Sequence, residues 1–339
     1  MNLAPDIVTD RLHVVAAVIR RDDGHLLLSR RPPHVDQGDL WEFPGGKRQD
    51  GETRVRALSR ELHEELGLEI QRALPLLRVP HDYPHRRVLL DVFVVDRWRG
   101  EAHGREGQEI RWVPPTALHA LAFPAANLPI VAAAVLPRVC VVTPAPGEDE
   151  GAFLAALDAC LARGATLMQL RAPALAPARY EALARKALAC CRVRGARLLL
   201  NADPALVPEV GADGAHLNAH RLRSTPTRPL PREYLVSASC HDGAELAQAR
   251  RIGVDFVFVS PVLQTTSHPD AVPLGWSALA AMLAPTGLPA YALGGVGAAQ
   301  LGDALLAGCV GVAGIGGFWS GERRLDDAAL VAGLGAEGL

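Results

Sequence analysis

Three glutamates, Glu61, Glu64 and Glu65, have the spacing of side chains that share one face of a helix. Residues at i, i+3 and i+4 project from the same side of an α-helix, where like charges repel unless a cation neutralises them. Hard carboxylate oxygens suit Mg²⁺ or Mn²⁺, and these ions polarise phosphate groups and lower the pKa of an attacking water. The spacing therefore predicts metal-assisted cleavage of a phosphate chain. The alternative is an acidic helix face that is simply solvated.

The surrounding segment fits the Nudix pattern G-x5-E-x7-R-E-U-x-E-E-x-G-U, in which U is aliphatic, at every specified position. It runs from Gly46 to Leu68 and reads GKRQDGETRVRALSRELHEELGL. The chain thus resembles the Nudix hydrolases, and the matching glycines and Arg60 argue against a merely solvated acidic face. The resemblance implies that Glu52 and Arg60 form an ion pair that holds the loop against the helix.

Segments outside this motif are similar to the MutT branch of the Nudix hydrolases, which converts oxidised purine nucleoside triphosphates such as 8-oxo-dGTP to the monophosphate and pyrophosphate. These segments are WEFPGGK at 41–47, the arginine pair at 30–31, REGQ at 105–108 and FPAAN at 123–127. The resemblance implies Glu61, Glu64, Glu65 and Glu106 as catalytic residues. The metal ligands that we expect are these four glutamates and Gly45. The substrate-binding residues that we expect are Arg31, Phe43, Lys47, Arg86 and Asn127.

Asn127 is the residue that we expect to read the oxidised base. An amide offers one acceptor and two donors, which can address O6 and a protonated N7 together. The alternative is a cap on the apolar helix that follows, LPIVAAAV, and both roles can hold. Arg31 and Arg86 are candidates for the phosphates or the base edge, or are solvated, whereas Lys47 lies beside the glutamate helix and is a candidate for phosphate contact. Phe43 packs against the purine or belongs to the core.

Hydrophobic patterning divides the chain into two domains, predicted at residues 1–136 and 137–339. The first begins with a strand, a turn at 22–24 and a second strand, continues with a helix from Val55 to Leu66, and then has strands at VLLDVFVV and EIRWVP. We therefore expect an α/β/α sandwich. The second alternates short apolar strands with alanine- and arginine-rich helical stretches. Its eight predicted strands are VCVVTP, LMQLRA, RLLLNA, GAHLNA, LVSASC, FVFVSPV, PAYALGG and GVAGIGG. Eight strands favour a (β/α)8 TIM barrel over a six-stranded doubly wound sheet.

The second domain resembles thiamine phosphate synthase and its TenI relatives over nearly its whole length. Matching segments such as QLR at 169–171, SCH at 239–241 and LGGV at 293–296 fall at strand C-termini, where barrels carry their sites and glycines let backbone N–H groups approach a phosphate. The resemblance implies a phosphorylated thiazole as ligand. The ligand site that we expect comprises Gln169, Arg171, Asn201, His241, Thr265, Gly294 and Gly295.

Several groups of the synthase pattern are missing. Pro173 and His268 stand where the family has lysines, Ala202 stands where it has an aspartate, and no acid follows in HLNAHRL. Without two lysines and two carboxylates, we expect no stabilisation of a leaving pyrophosphate, and synthase activity is predicted to be lost. His241 is a candidate general base, or a strand-end histidine bonded to the backbone. Ala172, where some TenI proteins have a glutamate, argues against a tautomerase.

The composition excludes several other classes of function. A net charge of −2, with 49% hydrophobic and 21% charged residues, gives no basis for a nucleic-acid or membrane partner. The six cysteines lie in the second domain without metal-ligand spacing, which favours reduced, buried thiols, and no apolar run is long enough for a membrane span. We therefore expect a cytoplasmic enzyme with a small nucleotide substrate.

Three hypotheses follow. The leading one is a Mg²⁺-dependent pyrophosphohydrolase that removes oxidised purine nucleotides, avoiding mutations, with a barrel that lacks synthase activity. The second is a thiamine-pathway protein whose Nudix domain cleaves pyrimidine pyrophosphates while the barrel binds or couples thiazole phosphate. The third treats the barrel as a non-catalytic sensor of a phosphorylated thiazole.

Overall fold

The computed structural model describes residues 11–265, 270–332 and 334. The chain separates into two compact units, the first ending at Val135 and the second beginning at Leu136. We describe each unit by itself and call them unit 1 and unit 2. Within the described residues, no helix is long and apolar enough to cross a membrane.

Unit 1 is built on one mixed sheet. Its strands are β1 (Leu12–Arg20), β2 (Leu26–Arg30), β3 (Trp41–Glu42), β4 (Glu69–Tyr83), β5 (Arg86–Arg99) and β6 (Ile110–Val113). The strand order is β3-β2-β1-β5-β4, with β6 pairing with β2. Only β1 and β5 run parallel, with Val15 opposite Asp91, and the other pairs are antiparallel.

Helix α1 (Arg54–Leu66) packs on this sheet through four fully buried side chains. These are Ala57, Leu58, Leu62 and Leu66, which meet Val15, Ala17, Phe93 and other residues of β1 and β5. The apolar stripe has helical periodicity, so α1 buries one face and leaves the glutamate face outward. Thr53 caps its first turn by accepting a hydrogen bond from the Arg56 N–H at 3.3 Å. Gly67 ends the helix with φ +74°, a left-handed conformation that glycine adopts at little cost.

Two short 3₁₀ turns, Pro115–Ala120 and Ala125–Asn127, and helix α2 (Leu128–Ala134) complete unit 1. The strands and the helix predicted for this unit are confirmed within a few residues. The 15-residue strand β4 and the short β3 were not predicted. Pro75 and Pro80 obscure the strand pattern of β4, and its register against β5 shifts near Pro75.

Unit 2 is a closed barrel of eight parallel strands. They are β7 (Val139–Val142), β8 (Leu167–Leu170), β9 (Arg197–Leu200), β10 (Gly214–Leu217), β11 (Leu235–Cys240), β12 (Phe256–Val259), β13 (Ala290–Leu293) and β14 (Gly311–Gly314). Most of them are four residues long and buried throughout, as expected for strands covered on both faces. All eight predicted strands are present.

The helices of unit 2 follow the strands in alternation. They are α3 (Glu150–Ala162), α4 (Pro177–Val193), α5 (Leu206–Val210), α6 (Ala219–Ser224), α7 (Gly243–Ile252), α8 (Gly275–Leu283), α9 (Leu301–Leu306), α10 (Gly316–Trp319) and α11 (Asp327–Val331). The predicted helices FLAALDACLARG and ELAQARRIG are α3 and α7. Five of the six cysteines are buried and all are free thiols, while Cys190 is partly exposed.

The barrel closes where β7 pairs with β14. Val139 lies opposite Val312, and the residue before it, Arg138, donates from Nη1 to the Val310 carbonyl at 2.8 Å. The Tyr291 hydroxyl donates to the Pro137 carbonyl at 2.6 Å. The beginning of unit 2 is thus fastened to strands that are remote in sequence, which closes the barrel.

Candidate functional site

The Gly45–Gly46 loop lies between β1 and the glutamate-bearing face of α1. The Val15 N–H donates to the Gly46 carbonyl at 2.9 Å, and a Cβ at Gly45 would lie 2.1 Å from the Val15 carbonyl oxygen. A Cβ at Gly46 would lie 2.2 Å from the carboxylate of Glu61. A side chain at Gly45 would push the loop off the strand, and one at Gly46 would displace the loop or the Glu61 carboxylate. The two glycines therefore allow the loop to lie close to Val15 and to Glu61.

Arg60 holds the loop to the helix through several carboxylates. Its guanidinium pairs with Glu52 at 2.8 Å, with Glu61 at 2.9 Å and with Glu64 at 3.1 Å, and it donates to the Lys47 carbonyl at 3.0 Å. The bond from Arg60 is the main cause that lowers the pKa of Glu52 to about 2, and the hydrogen bond from the Gln49 N–H acts in the same direction. The expected ion pair of Glu52 and Arg60 is present.

Glu65 lies in an unusually acidic and partly buried environment. Burial raises its pKa to about 8, and the negative charges of Glu61, Glu106 and Glu42 act in the same direction, whereas a hydrogen bond from the Gly45 N–H opposes them. Such a carboxyl group stays ionised at neutral pH only if a positive charge approaches it. In this partly buried position, Glu65 is therefore subject to the negative charges of three other glutamates.

The loop that carries Glu106 is tied to the end of α1. The Arg105 N–H donates to the Glu65 carbonyl at 2.9 Å, and the Gln108 side chain donates to the same carbonyl at 3.2 Å. The side-chain oxygen of Gln108 in turn accepts from the Glu106 N–H at 2.9 Å. This bracing places the Glu106 carboxylate where its charge acts on Glu65.

These residues fit a divalent cation in their chemistry but are not gathered around one point. Among the described residues, no three carboxylate, imidazole or thiol groups stand close enough to hold one ion, because Glu61 and Glu64 are turned towards Arg60. The carboxylate oxygens, the close Gly45–Gly46 loop and the acidic surroundings of Glu65 together suit a hard ion. That Glu61, Glu64, Glu65, Glu106 and Gly45 are metal ligands stays a prediction.

The residues expected to bind the nucleotide occupy the region around β3. Arg31 pairs with Glu42 at 2.5 Å and donates twice to the Asp36 carbonyl, while Arg86 pairs with the Asp36 carboxylate at 3.0 Å. Arg31 is therefore anchored rather than merely solvated, whereas Arg86 forms an exposed ion pair on the surface. The Glu42 carboxyl group is largely buried, which raises its pKa against the effect of Arg31. Sequence reasoning did not single out Glu42, although its place between Trp41 and Phe43 in WEFPGGK was a signal.

Asn127 is 6% exposed and lies beside Phe43. Its side-chain oxygen accepts the Phe43 N–H at 3.4 Å. Although Asn127 stands at the N-cap position of α2, its side chain makes no capping hydrogen bond, so the capping alternative is wrong. Phe43 itself is 3% exposed and stacks on Phe123 with centroids 6.0 Å apart, which makes it a core residue as placed. Lys47 is exposed, and its backbone bridges to Val14.

In unit 2 the expected ligand residues lie at the C-terminal ends of the strands. We call this end the barrel mouth and define it by Thr143, Arg171, Asn201, Asn218, His241 and Gly294, which follow their strands. The Arg171 N–H donates to the Thr143 hydroxyl at 2.9 Å, and the Asn201 N–H donates to the Leu170 carbonyl at 3.1 Å. Gln169, one residue before Leu170, is buried. Thr265 is among the described residues, whereas His268 lies outside them.

Gly294 and Gly295 both have positive φ, at +89° and +68°. A Cβ at Gly295 would lie 2.2 Å from the Gln264 carbonyl oxygen, and one at Gly294 would lie 2.9 Å from Pro261. The pair is thus required by close packing against the segment that follows β12.

His241 is bonded to a carboxylate and not to a backbone carbonyl, so that alternative is wrong. Its Nδ1 lies 2.9 Å from the Glu245 carboxylate, which also accepts the His241 N–H at 2.8 Å and pairs with Arg223. A second histidine, His216, is buried with Nδ1 3.0 Å from Ser237 Oγ and Nε2 2.8 Å from Ser239 Oγ. Burial lowers its pKa to about 3, and the charge of Arg221 acts in the same direction. His216 was not among the residues expected in the ligand site.

Comparison with known proteins agrees with this division. The NUDIX domain family model matches residues 15–133, and the model named thiamine monophosphate synthase matches residues 139–318. An 8-oxo-dGTP diphosphatase of Escherichia coli is 35% identical over 36% of this chain and 95% of its own length. A CTP pyrophosphohydrolase of the same organism is 37% identical over 36% of this chain and 90% of its own length.

A thiamine-phosphate synthase of Chloroflexus aurantiacus is 30% identical over 52% of this chain and 82% of its own length. Each unit is therefore matched independently, by a different family and by different relatives. Through residues 15–133 the chain belongs to the Nudix hydrolases, with relatives of the MutT type, and through residues 139–318 it belongs to the thiamine monophosphate synthase family.

Proposed function

We propose that unit 1 hydrolyses oxidised purine nucleoside triphosphates, taking 8-oxo-dGTP to 8-oxo-dGMP and pyrophosphate, with Mg²⁺ or Mn²⁺ as cofactor. The observation that carries the proposal is the placement of Asn127. Its amide is buried beside Phe43, two residues before the Gly45–Gly46 loop that leads to the glutamate helix. The oxygen of the amide accepts the Phe43 N–H and has a second lone pair, and its NH₂ group can donate. The amide can therefore accept from the protonated N7 that distinguishes an oxidised purine and donate to its O6.

The glutamate face supplies the reaction end of this site. Glu61, Glu64, Glu65, Glu106 and the Gly45 carbonyl are the groups that would hold the metal. When bound, the metal neutralises phosphate charge and lowers the pKa of the attacking water. Arg60 fixes the side chains of Glu61 and Glu64, and the loop with Glu106 is braced on the Glu65 carbonyl. A water deprotonated by one of these carboxylates attacks phosphorus, and pyrophosphate leaves.

The arginines are placed to orient the nucleotide. Arg31 is fixed by Glu42 and Asp36, so its guanidinium loses little further freedom when it binds a phosphate or the base edge. Lys47 projects from the loop beside α1 and supplies a positive charge to the phosphate chain.

The test measures pyrophosphate release from 8-oxo-dGTP, dGTP, CTP, ADP-ribose and a pyrimidine pyrophosphate of the thiamine pathway. Wild type is compared with Asn127→Ala in Mg²⁺. Preference for 8-oxo-dGTP that Asn127→Ala removes supports the proposal. Equal rates for 8-oxo-dGTP and dGTP would refute it.

The same assay addresses the second candidate, in which unit 1 cleaves pyrimidine pyrophosphates. Two observations favour that candidate, namely the similarity to a CTP pyrophosphohydrolase and the fusion to a thiamine monophosphate synthase domain. The buried Asn127 and the anchored Arg31 favour a purine. A pyrimidine pyrophosphate cleaved faster than 8-oxo-dGTP would establish the alternative.

For unit 2, we infer a small-molecule site without synthase activity, with a thiazole phosphate as the ligand implied by the family. The inference rests on Pro173 and Ala202, which supply neither an ammonium group nor a carboxylate near Arg171 and Asn201. The test combines the full chain with thiazole phosphate and the pyrimidine diphosphate and measures thiamine phosphate. Formation of thiamine phosphate by wild type would overturn the inference.

A further inference from the structure

An arginine lies at the barrel mouth in the segment where the synthase pattern has an acidic residue. No aspartate or glutamate follows β10 in the segment HLNAHRLRS, where the synthase pattern has an acid, and the first fixed charge there is Arg221 in α6. Ala202, after β9, removes the other carboxylate. Divalent cations such as Mg²⁺ are bound through carboxylate oxygens. Without these two carboxylates, the residues present at the barrel mouth do not fit a divalent metal ion.

The guanidinium of Arg221 is unsatisfied as placed. Its Nη1 is shielded from solvent and has no hydrogen-bond partner. Across residues 11–265, 270–332 and 334, no acid lies within ion-pair distance of Arg221, and the same holds for Arg171. A shielded donor of a charged group without an acceptor is uncommon in folded proteins, because its desolvation is not compensated.

Arg171 follows β8 and Arg221 lies in the helix after β10, and both of these strands pair with β9, so the two arginines belong to one side of the barrel mouth. The Tyr180 hydroxyl donates to the Leu170 carbonyl at 2.9 Å, one residue before Arg171. Burial raises the pKa of Tyr180, while the Asn201 N–H and the charge of Arg221 oppose that rise. The charge of Arg221 therefore acts on Tyr180, which is bonded to the last residue of β8, and on His216 in β10.

The neighbouring acids are already engaged. Glu245 pairs with Arg223 and accepts from His241, and Asp203 caps the turn after Ala202 by accepting the Ala205 N–H at 3.0 Å. His216 is neutral and bonded at both nitrogens to serine hydroxyls. Within the residues that the structure describes, the guanidinium groups of Arg171 and Arg221 thus have no acidic partner.

We propose that the barrel mouth holds a metal-independent anion site, in which Arg221 and Arg171 bind the phosphate or diphosphate group of a small organic ligand. Arginine forks bind phosphate oxygens in pairs, and the acceptor that Nη1 of Arg221 lacks is what a phosphate supplies. This proposal rests on the small-molecule site inferred for unit 2 and not on the nucleotide chemistry proposed for unit 1.

The experiment titrates the full chain with inorganic pyrophosphate by calorimetry in EDTA. Unit 1 also carries cationic side chains, so the signal of the barrel is the part of the binding that changes with Arg221. We expect wild type to bind in EDTA, Arg221→Gln and Arg171→Gln each to weaken that component about tenfold, and Arg221→Lys to retain more than Arg221→Gln. The charge-matched control is Arg185→Gln, an arginine of α4 that pairs with Glu181 on the surface.

A second variant reverses the substitution. Ala202→Asp combined with Arg221→Asp is expected to lose pyrophosphate binding in EDTA and to regain it with Mg²⁺. Arg171→Gln serves if the Arg221 variants unfold, as judged by circular dichroism. The proposal is overturned if wild type binds only with Mg²⁺, or if Arg171→Gln and folded Arg221→Gln bind as wild type does. A finding that unit 1 does not hydrolyse nucleotides would not change the interpretation of this pyrophosphate-binding experiment.

Discussion

In unit 1 a partly buried carboxyl group, Glu65, has three further glutamates around it, whereas at the barrel mouth of unit 2 Arg171 and Arg221 have no acidic partner in the part of the chain that the structure describes. Both units belong to families that handle phosphates. Unit 1 keeps an acidic face, which draws phosphate only through a cation. Unit 2 has lost carboxylates and offers guanidinium groups directly. Under the two proposals, phosphate groups are bound by opposite electrostatic arrangements within one chain.

The largest effect is expected when one glutamate of unit 1 is neutralised, which tests whether the two units act separately. Glu64→Gln is expected to lower kcat of nucleotide hydrolysis by roughly 10²–10⁴-fold, the range found when a proton-transferring or charge-bearing group is removed. Pyrophosphate binding in EDTA should be unchanged. The matched control is Glu69→Gln, an exposed acid at the start of β4. Parallel loss of both activities would mean that the units do not act separately.

The base-reading proposal gives a smaller effect. Asn127→Ala removes an amide that is 6% exposed and is expected to lower the preference for 8-oxo-dGTP over dGTP by about 10- to 100-fold, the cost of one or two hydrogen bonds in a buried site. Hydrolysis of dGTP should change less than hydrolysis of 8-oxo-dGTP. Steady-state kcat/KM for both nucleotides measures this. An equal decrease for both would assign Asn127 to folding and not to recognition.

The loop of unit 1 can be tested at Gly46. Gly46→Ala places a Cβ 2.2 Å from the Glu61 carboxylate, so the loop or the glutamate must move. We expect kcat to fall about tenfold, since small displacements of catalytic groups are costly. Gly147→Ala is the control, because nothing lies within 4 Å of a Cβ there. Unchanged kcat in Gly46→Ala would show that the contact is not needed.

His216 gives unit 2 a pH dependence that unit 1 does not share. Below the unfolded pKa of about 6.5, the unfolded chain takes up a proton that the folded chain does not bind until about pH 3. The free energy of unfolding of unit 2 is therefore expected to fall by about 1.4 kcal/mol per pH unit as the pH drops through this range.

His216→Gln should make that slope shallower by the same amount. Denaturant-dependent hydrogen exchange of β10 and β11, followed by mass spectrometry, reports on unit 2 separately from unit 1. The control is His241→Gln, since the side chain of His241 is 47% exposed. Equal slopes in wild type and His216→Gln would contradict a neutral buried His216.

Much of this comparison was predictable from sequence. The helix at 54–66 and all eight barrel strands follow from periodicity, and the ion pair of Glu52 with Arg60 follows from the motif. These features depend on residues close in sequence or on a repeated pattern. The pairing of Arg31 with Glu42 depends on the register of β2 against β3, a two-residue strand that no periodicity indicates.

The orientation of single side chains was not predictable. Asp91, opposite Val15 on β5, is 1% exposed and pairs with Arg54 at 3.0 Å and Arg78 at 2.9 Å, yet its segment VLLDVFVV reads as a plain apolar strand. The turning of Glu61 and Glu64 towards Arg60 likewise results from competing charges. Such choices are settled by contacts between elements, which a local pattern does not contain.

The fastening of β7 to β14 has a consequence for the order of events during synthesis. The strands described for unit 1 are complete by Val113, so its sheet can form while the rest of the chain is still being translated. Strand β7 leaves the ribosome first among the barrel strands, but one of its two neighbours, β14, is made last. Until β14 is made, one edge of β7 has no neighbouring strand, so the barrel stays open at this edge for most of its translation.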